Sequence, residues 1–320
     1  QFRLGALALA IACSPLAAQW GQQSPTTSPS ARSGHGMCLT GTQIVLHGGT
    51  AGFSTSGETW VYDGTNWDGT AITGGPVATG VRLVDMNGIV VLYGGMNTSF
   101  FGGPSVDQTY TLTGTTWAAA TPTVTPGGLG NYGACYHSGR GTMVLYGGVA
   151  DSFFPIAESG TWEFDGTNWA QISVTSPAGA LERPAMCYHA GSGMAVMFGG
   201  IDPQIGGVDT TWLYDNTGTW AAATVSGIKL PLRIGARLPY DSVRDVCVLN
   251  GGLNPSTGQA IIDTWELAYD ASTTTWTWTQ VPTVTNGHFA SGLAFLPSIR
   301  QIVEFGGLDP ATFAENADTW

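Results

Sequence analysis

Lysine is almost missing from this chain: Lys229 is the only one in 320 residues. Ten basic residues in all stand against 22 acidic ones, a formal net charge of −12, and the arginines are scattered. A nucleic-acid backbone needs a stripe of positive charge to displace its counterions, so nucleic acid is excluded as an expected partner. Charged residues of both signs make up only 10% of the chain. Long apolar runs are equally scarce. The N-terminal stretch Leu4 to Ala12 is too short for a membrane span, and no second candidate follows it. No G-x-S-x-G elbow and no H-E-x-x-H metal motif occurs, which removes the sequence support for a serine hydrolase or a zinc protease.

What the chain has in abundance is glycine, 47 residues, and tryptophan, 12, and both recur in register. Six apolar runs end in a glycine doublet: Gly48 and Gly49, Gly94 and Gly95, Gly147 and Gly148, Gly199 and Gly200, Gly251 and Gly252, Gly306 and Gly307. Runs such as IVLHGG, VVLYGG and MVLYGG read as short strands buried on both faces and stopped by glycine. After a loop of variable length comes a Thr followed by an aromatic residue, with Trp60, Trp162, Trp212 and Trp265 in four copies. A turn rich in Asp, Gly, Asn and Thr leads on to Trp67, Trp117, Trp169, Trp220 and Trp278, each on a short outer strand. In the second copy Asn87 and Gly88 mark a tight hairpin between the first two strands. Each copy therefore predicts four antiparallel strands. One such sheet cannot bury both of its faces alone, so the copies are expected to stack radially and hide their edges.

The R-x-G-H run from Arg32 to His35, the glycine doublets at about fifty-residue spacing, the T-W-x-Y-D strands and the trailing tryptophans together resemble the kelch family over residues 32 to 320. The resemblance implies an all-β propeller of six four-stranded blades. The stretch from Gln19 to Arg32 echoes the stretch from Asn168 to Arg183, which makes Trp20 the outer strand of a blade begun at the other end of the chain. The ring is then closed by an N-terminal outer strand, with the last blade cut short at Trp320. Residues 1–18, with Arg3, an apolar stretch and small residues at Ala17 and Ala18, have the outline of a secretory signal peptide. The propeller is expected over 19–320, as a secreted monomer. A competing reading lipidates Cys13 and keeps the protein at the cell surface.

Two CYH triplets, Cys135 to His137 and Cys187 to His189, carry the one tempting chemistry. Kelch-like propellers include copper radical oxidases of the galactose oxidase type, and that resemblance would make Tyr136, His137, Tyr188 and His189 copper ligands in an enzyme acting on sugars or alcohols. Aligned on the doublets, however, the Cys position also holds Cys38, Val84, Pro239 and Ala294, and the Tyr position Leu39, Asp85, Tyr240 and Phe295. That is the pattern of a packed inner strand, so no cofactor is expected. Cys38, Cys135, Cys187 and Cys247 are expected to be free, buried thiols. His35 is expected to bond backbone near the channel, and His47 to take a slot that is aromatic in most other copies. The remaining candidates are loop aromatics: Phe53, Phe100, Phe101, Phe153, Phe154 and Phe313. Exposed, they would bind a partner; packed, they would wedge between blades, which is the expected role. The leading functional expectation is a non-catalytic extracellular binding or scaffolding module, with a protein or polysaccharide partner.

Overall fold

A computed structural model of the chain describes residues 20–97, 105–150, 156–174, 179–282, 288–309 and 311–320. These residues contain strands and turns and no helix. The candidates Phe100, Phe101, Phe153 and Phe154, together with the expected leader and Cys13, lie outside the described residues.

The strands form a propeller. The first blade pairs Gly36–Thr40, Gln43–His47, Thr59–Tyr62 and Trp67–Asp68, in that order from the axis outward. The second blade repeats the plan with Leu83–Met86, Ile89–Tyr93, Thr109–Thr113 and Thr116–Ala119. Its first hairpin turns through Asn87 and Gly88, with φ of 56° and 90°, as the dipeptide predicts. Gly133–His137, Thr142–Tyr146, Thr161–Phe164 and Trp169–Ile172 make the third. Ala185–His189, Met194–Phe198, Thr211–Tyr214 and Trp220–Ala222 make the fourth. The fifth uses Tyr240–Asp241, Val246–Asn250, Thr264–Asp270 and Thr275–Val281, with Val225–Gly227 added in parallel on its outer edge.

The expectation of six four-stranded blades is corrected to five. The sixth copy forms only a two-stranded hairpin, Gly292–Leu296 with Gln301–Phe305. Single bridges extend it outward, Phe305 to Thr319 and Thr319 to Gln23. The hairpin sits between the fifth and first blades, its inner strand packed against the inner strand of the first. The N-terminal segment thus supplies the outer edge that closes the ring, through a hydrogen bond from Gln23 N to Thr319 O of 2.8 Å.

The apolar core is divided among the seams between sectors. Each cluster draws on two neighbours, such as Val144, Tyr146, Ala195, Met197, Tyr214 and Trp220 between the third and fourth blades. The repeated Thr and Trp of the sequence explain how the seams are locked. Each outer-strand indole donates from Nε1 to the Thr hydroxyl that opens the third strand of the preceding sector. The pairs are Trp117 with Thr59, Trp169 with Thr109, Trp220 with Thr161, Trp278 with Thr211, Trp20 with Thr264 and Trp67 with Thr319, at 2.9 to 3.1 Å. All six Thr residues are buried, so each hydroxyl needs a partner that water cannot supply. The circuit includes Trp20 and Thr319, so the two ends of the chain obey the same rule as the complete blades.

The doublets solve a different problem. A Cβ on Gly199 would stand 2.6 Å from the carbonyl oxygen of Arg233 in the next blade, and one on Gly306 2.6 Å from that of Arg32. The second glycine donates its N–H to that same oxygen, as Gly200 does to Arg233 at 3.0 Å and Gly307 to Arg32 at 2.9 Å. Only a residue without Cβ permits this approach, and positive φ at both positions adds to the demand.

Candidate functional site in the axial channel

Four residues into each following sector the chain takes a left-handed turn, at Gly34, Gly80, Asn131, Arg183, Gly235 and Ala290, with φ between 56° and 67°. These six residues bond to one another around the axis. Gly80 N donates to Gly34 O, Asn131 N to Gly80 O, Arg183 N to Asn131 O, Gly235 N to Arg183 O, Ala290 N to Gly235 O and Gly34 N to Ala290 O, at 2.7 to 3.3 Å. The circuit is closed and surrounds the start of the inner strands.

Beyond it the inner strands enclose an axial cavity of about 250 Å³. One level, toward the hairpin turns, carries Leu39, Asp85, Tyr136, Tyr188, Tyr240 and Phe295; the level before it carries Cys38, Cys135 and Cys187. Nearest the main-chain circuit are His35, Arg82 and Arg237. His35 is fully buried, its ring nitrogens have no partner at full hydrogen-bond geometry, and the main chain at Phe305 is its polar neighbour. Burial, and then the charges of Arg32, Arg237 and Arg82, hold its pKa well below the ordinary value, with the Phe305 backbone acting in the opposite sense. The imidazole is neutral. Arg82 is lowered to about 10, first by burial, with the Arg183 charge acting in the same direction and Tyr132 against it. Arg237 is pulled well down by burial and by Arg82 and Arg183, against the pull of Glu304.

The CYH triplets contribute to this cavity unequally. Tyr136 and Tyr188 line it, but the histidines occupy two different seams. His137 points its Nε2 at Tyr214 O, 3.3 Å away, and stacks on Tyr188 at 4.7 Å. Burial lowers its pKa, the Tyr214 carbonyl working the other way. His189 bonds Asp245 O from Nε2 at 3.0 Å, accepts the Ser192 N–H at Nδ1, and packs on Tyr240 and Trp276. Copper would need these side chains on one centre, and His137 and His189 turn their Nε2 atoms to main-chain oxygens in two different seams. Among the described residues no three His, Cys, Asp or Glu side chains form a metal-sized group.

The four described cysteines are free thiols; Cys38 is half-buried and the others are buried. Cys187 and Cys247 lie 3.0 Å apart across the seam of the fourth and fifth blades, and burial followed by this neighbour pushes the Cys187 thiol well up. His47 takes its aromatic slot against Trp117 at 4.7 Å. Its Nδ1 meets Thr59 Oγ1 at 2.8 Å and its Nε2 donates to Pro76 O at 2.9 Å, so one imidazole joins the indole circuit to the next linker.

The wedge role expected for the loop phenylalanines fails where it is described. Phe53 is 77% exposed, and Phe313, 52% exposed, lies edge-on to Phe289 at 5.9 Å. Tyr, Trp and Leu from the strands already fill the seams, which leaves no room there for a loop side chain. Among the described residues twelve large apolar side chains are exposed, and eight of these share the face of the doublets: Phe53, Ile156, Ile205, Ile262 and Phe313 in the loops, and Val77, Val124 and Ile228 in the linkers between sectors. Only Ile89, Val243 and Ile299 mark the opposite, hairpin face, and Val225 lies on the outer edge. The strand termini put both sets of connections at the same end of an antiparallel blade, which sequence spacing alone did not bring together.

No protein-family model matches the chain, and a search of curated proteins found no match. Among the described residues no helix is long and apolar enough to cross a membrane.

Proposed function

We propose that this propeller is a non-catalytic extracellular binding module that presents its doublet face to a protein partner. The observation that carries the reading is the one-sided distribution of exposed apolar side chains, eight on one face against three on the other. Apolar area gathered on one face of a rigid scaffold is a mark of an interaction surface. Six of the eight are Ile or Val. Aliphatic side chains suit another protein's apolar surface, whereas a polysaccharide is held by stacking on aromatic rings, of which this face exposes Phe53 and Phe313 among the described residues. The signal-like outline of residues 1–18 and the low charge content with 12 Trp support the extracellular setting. The oxidase alternative loses support from the separation of His137 and His189 into different seams.

The test is a screen of the purified protein against secreted proteins and glycans, repeated with Ile205→Ser plus Phe53→Ser on the doublet face and with Ile299→Ser on the hairpin face. A protein partner lost only with the doublet-face pair supports the reading. Binding that depends on the hairpin face, binding to glycans alone, or peroxide production from sugars or alcohols overturns it.

A further inference from the structure

Two arginines in the axial cavity stand apart from the other cations of the molecule. Among the described residues, six basic side chains have a carboxylate partner. They are Arg32 with Glu58, Arg140 with Glu163, Arg183 with Glu182, Lys229 with Asp209, Arg233 with Asp263, and Arg244 with Asp241 and Glu266. Arg300 lies on an exposed hairpin turn. Arg82 and Arg237 have no ion pair. Their guanidinium hydrogen bonds run to main-chain oxygens of near neighbours, Arg82 Nη1 to Val81 O at 3.0 Å and Arg237 Nη1 to Gly235 O and Ala236 O at 3.5 and 3.4 Å.

Their placement is set by the ring. Both occupy the same level of the inner strands, where the other four sectors have Gly36, Gly133, Ala185 and Gly292. The inner strands neighbour one another in chain order around the axis, so the second and fifth blades, which carry the arginines, stand on opposite sides. At three of the four small residues the next inner strand packs directly: a Cβ on Gly36 would meet Leu83 at 2.8 Å, on Gly133 Pro184 at 3.1 Å and on Gly292 Met37 nearer still. Beside the arginines His35 is fully buried, its ring nitrogens without a partner at full hydrogen-bond geometry. The acidic side chain nearest Arg237 is Glu304, held by Asn250 Nδ2 at 3.2 Å and with its Oε1 unpartnered. Two positive charges thus face the cavity in a protein of net charge −12; the one carboxylate in its lining, Asp85, accepts from Thr40 Oγ1 at 2.6 Å and from Gly88 N at 3.1 Å. Low-dielectric walls focus such a field and select an anion, and the planar guanidinium fork matches an oxyanion.

We propose that the axial channel is a binding site for a small oxyanionic ligand, an organic acid or phosphate, clasped by Arg82 and Arg237 from opposite walls. The cavity, about 250 Å³, falls below the roughly 300–1,000 Å³ of pockets that hold drug-sized molecules, so the ligand is small. The site is independent of the protein partner proposed for the doublet face.

Calorimetric titration with succinate and with inorganic phosphate, at constant chloride and ionic strength, tests this, with succinamide as the uncharged control. At least one anion should bind saturably with a dissociation constant below about 1 mM, and Arg82→Met or Arg237→Met should weaken it by about tenfold or more. Succinamide should not bind. Binding by neither anion, or binding untouched by both substitutions, overturns the site. Phenylglyoxal labelling of the unmutated protein gives a second readout that does not require the variants to fold. The bound anion should slow labelling at Arg82 and Arg237 relative to Arg300; equal protection at all three overturns the proposal.

Discussion

The third blade and the sixth sector fill equivalent places in the ring by different means. The third is one continuous segment of four paired strands, Gly133 to Ile172. The sixth is a hairpin extended by two successive single bridges, Phe305 to Thr319 and Thr319 to the remote Gln23. Yet the same contacts recur in both, because Trp20 reaches Thr264 as Trp169 reaches Thr109, and Gly307 reaches Arg32 as Gly148 reaches Leu181. What defines a sector is therefore its contacts to its neighbours, more than the pairing within it.

The comparison breaks most severely at the doublets. Gly147→Ala should destabilise the protein by more than about 3 kcal/mol, since positive φ and a carbonyl clash act together. Gly306→Ala meets a similar clash with Arg32 O, but is expected to open the weakly paired sixth sector first. Hydrogen exchange should show early loss of protection from Gly292 to Phe305 in Gly306→Ala, and global loss in Gly147→Ala. Identical exchange patterns would show that the sixth sector is no separate unit.

A second contrast lies in Glu304, which stands on the sixth-sector hairpin. Burial, outweighing Ser291, Arg237 and Asn250, pushes it up to about 7 from 4.5. A carboxyl with a raised pKa favours folding while protonated. Its contribution is complete below the unfolded value and is lost as pH rises from about 4.5 to 7, by roughly 3 kcal/mol. His47, lowered to about 4 by burial, and His35 act oppositely, with stability complete above 6.5 and lost as the pH falls. In denaturant titrations across this range Glu304→Gln should leave only the histidine-driven rise in stability with pH. An unchanged profile would remove Glu304 from the account.

The smallest effect sharpens the comparison at the indole circuit. Trp220→Phe and Trp20→Phe each remove one hydrogen bond and leave a Thr hydroxyl without its indole donor. The expected loss is about 1 kcal/mol for Trp220, in a buried setting, and less for the half-buried Trp20. Equal losses would mean that the seam at the chain ends is as dry as the others.

Much of this architecture was legible in the sequence because its causes are local and repeated. The doublets, the Thr and Trp of each copy, the Asn87 and Gly88 turn and the outer role of Trp20 each left a fixed spacing. The count of complete blades was not, since six copies of the motif do not reveal that the last has only two paired strands. The main-chain circuit was half hidden: Gly34, Gly80 and Gly235 suggest left-handed backbone, but Asn131, Arg183 and Ala290 disguise it. Arg82 and Arg237 are far apart in the chain and become a pair only when the ring places their blades opposite each other. Phe53 and Phe313 were misjudged because composition does not say which side chains have already filled a seam.

The circuit of left-handed residues has a further consequence. Every member donates to one neighbour and accepts from the other, so it has neither a first residue nor a last. The order in which the sectors are strung along the polypeptide is invisible to it. A circular permutant opened in any linker, with the segments at Trp20 and Trp320 joined, should rebuild the same collar and the same channel.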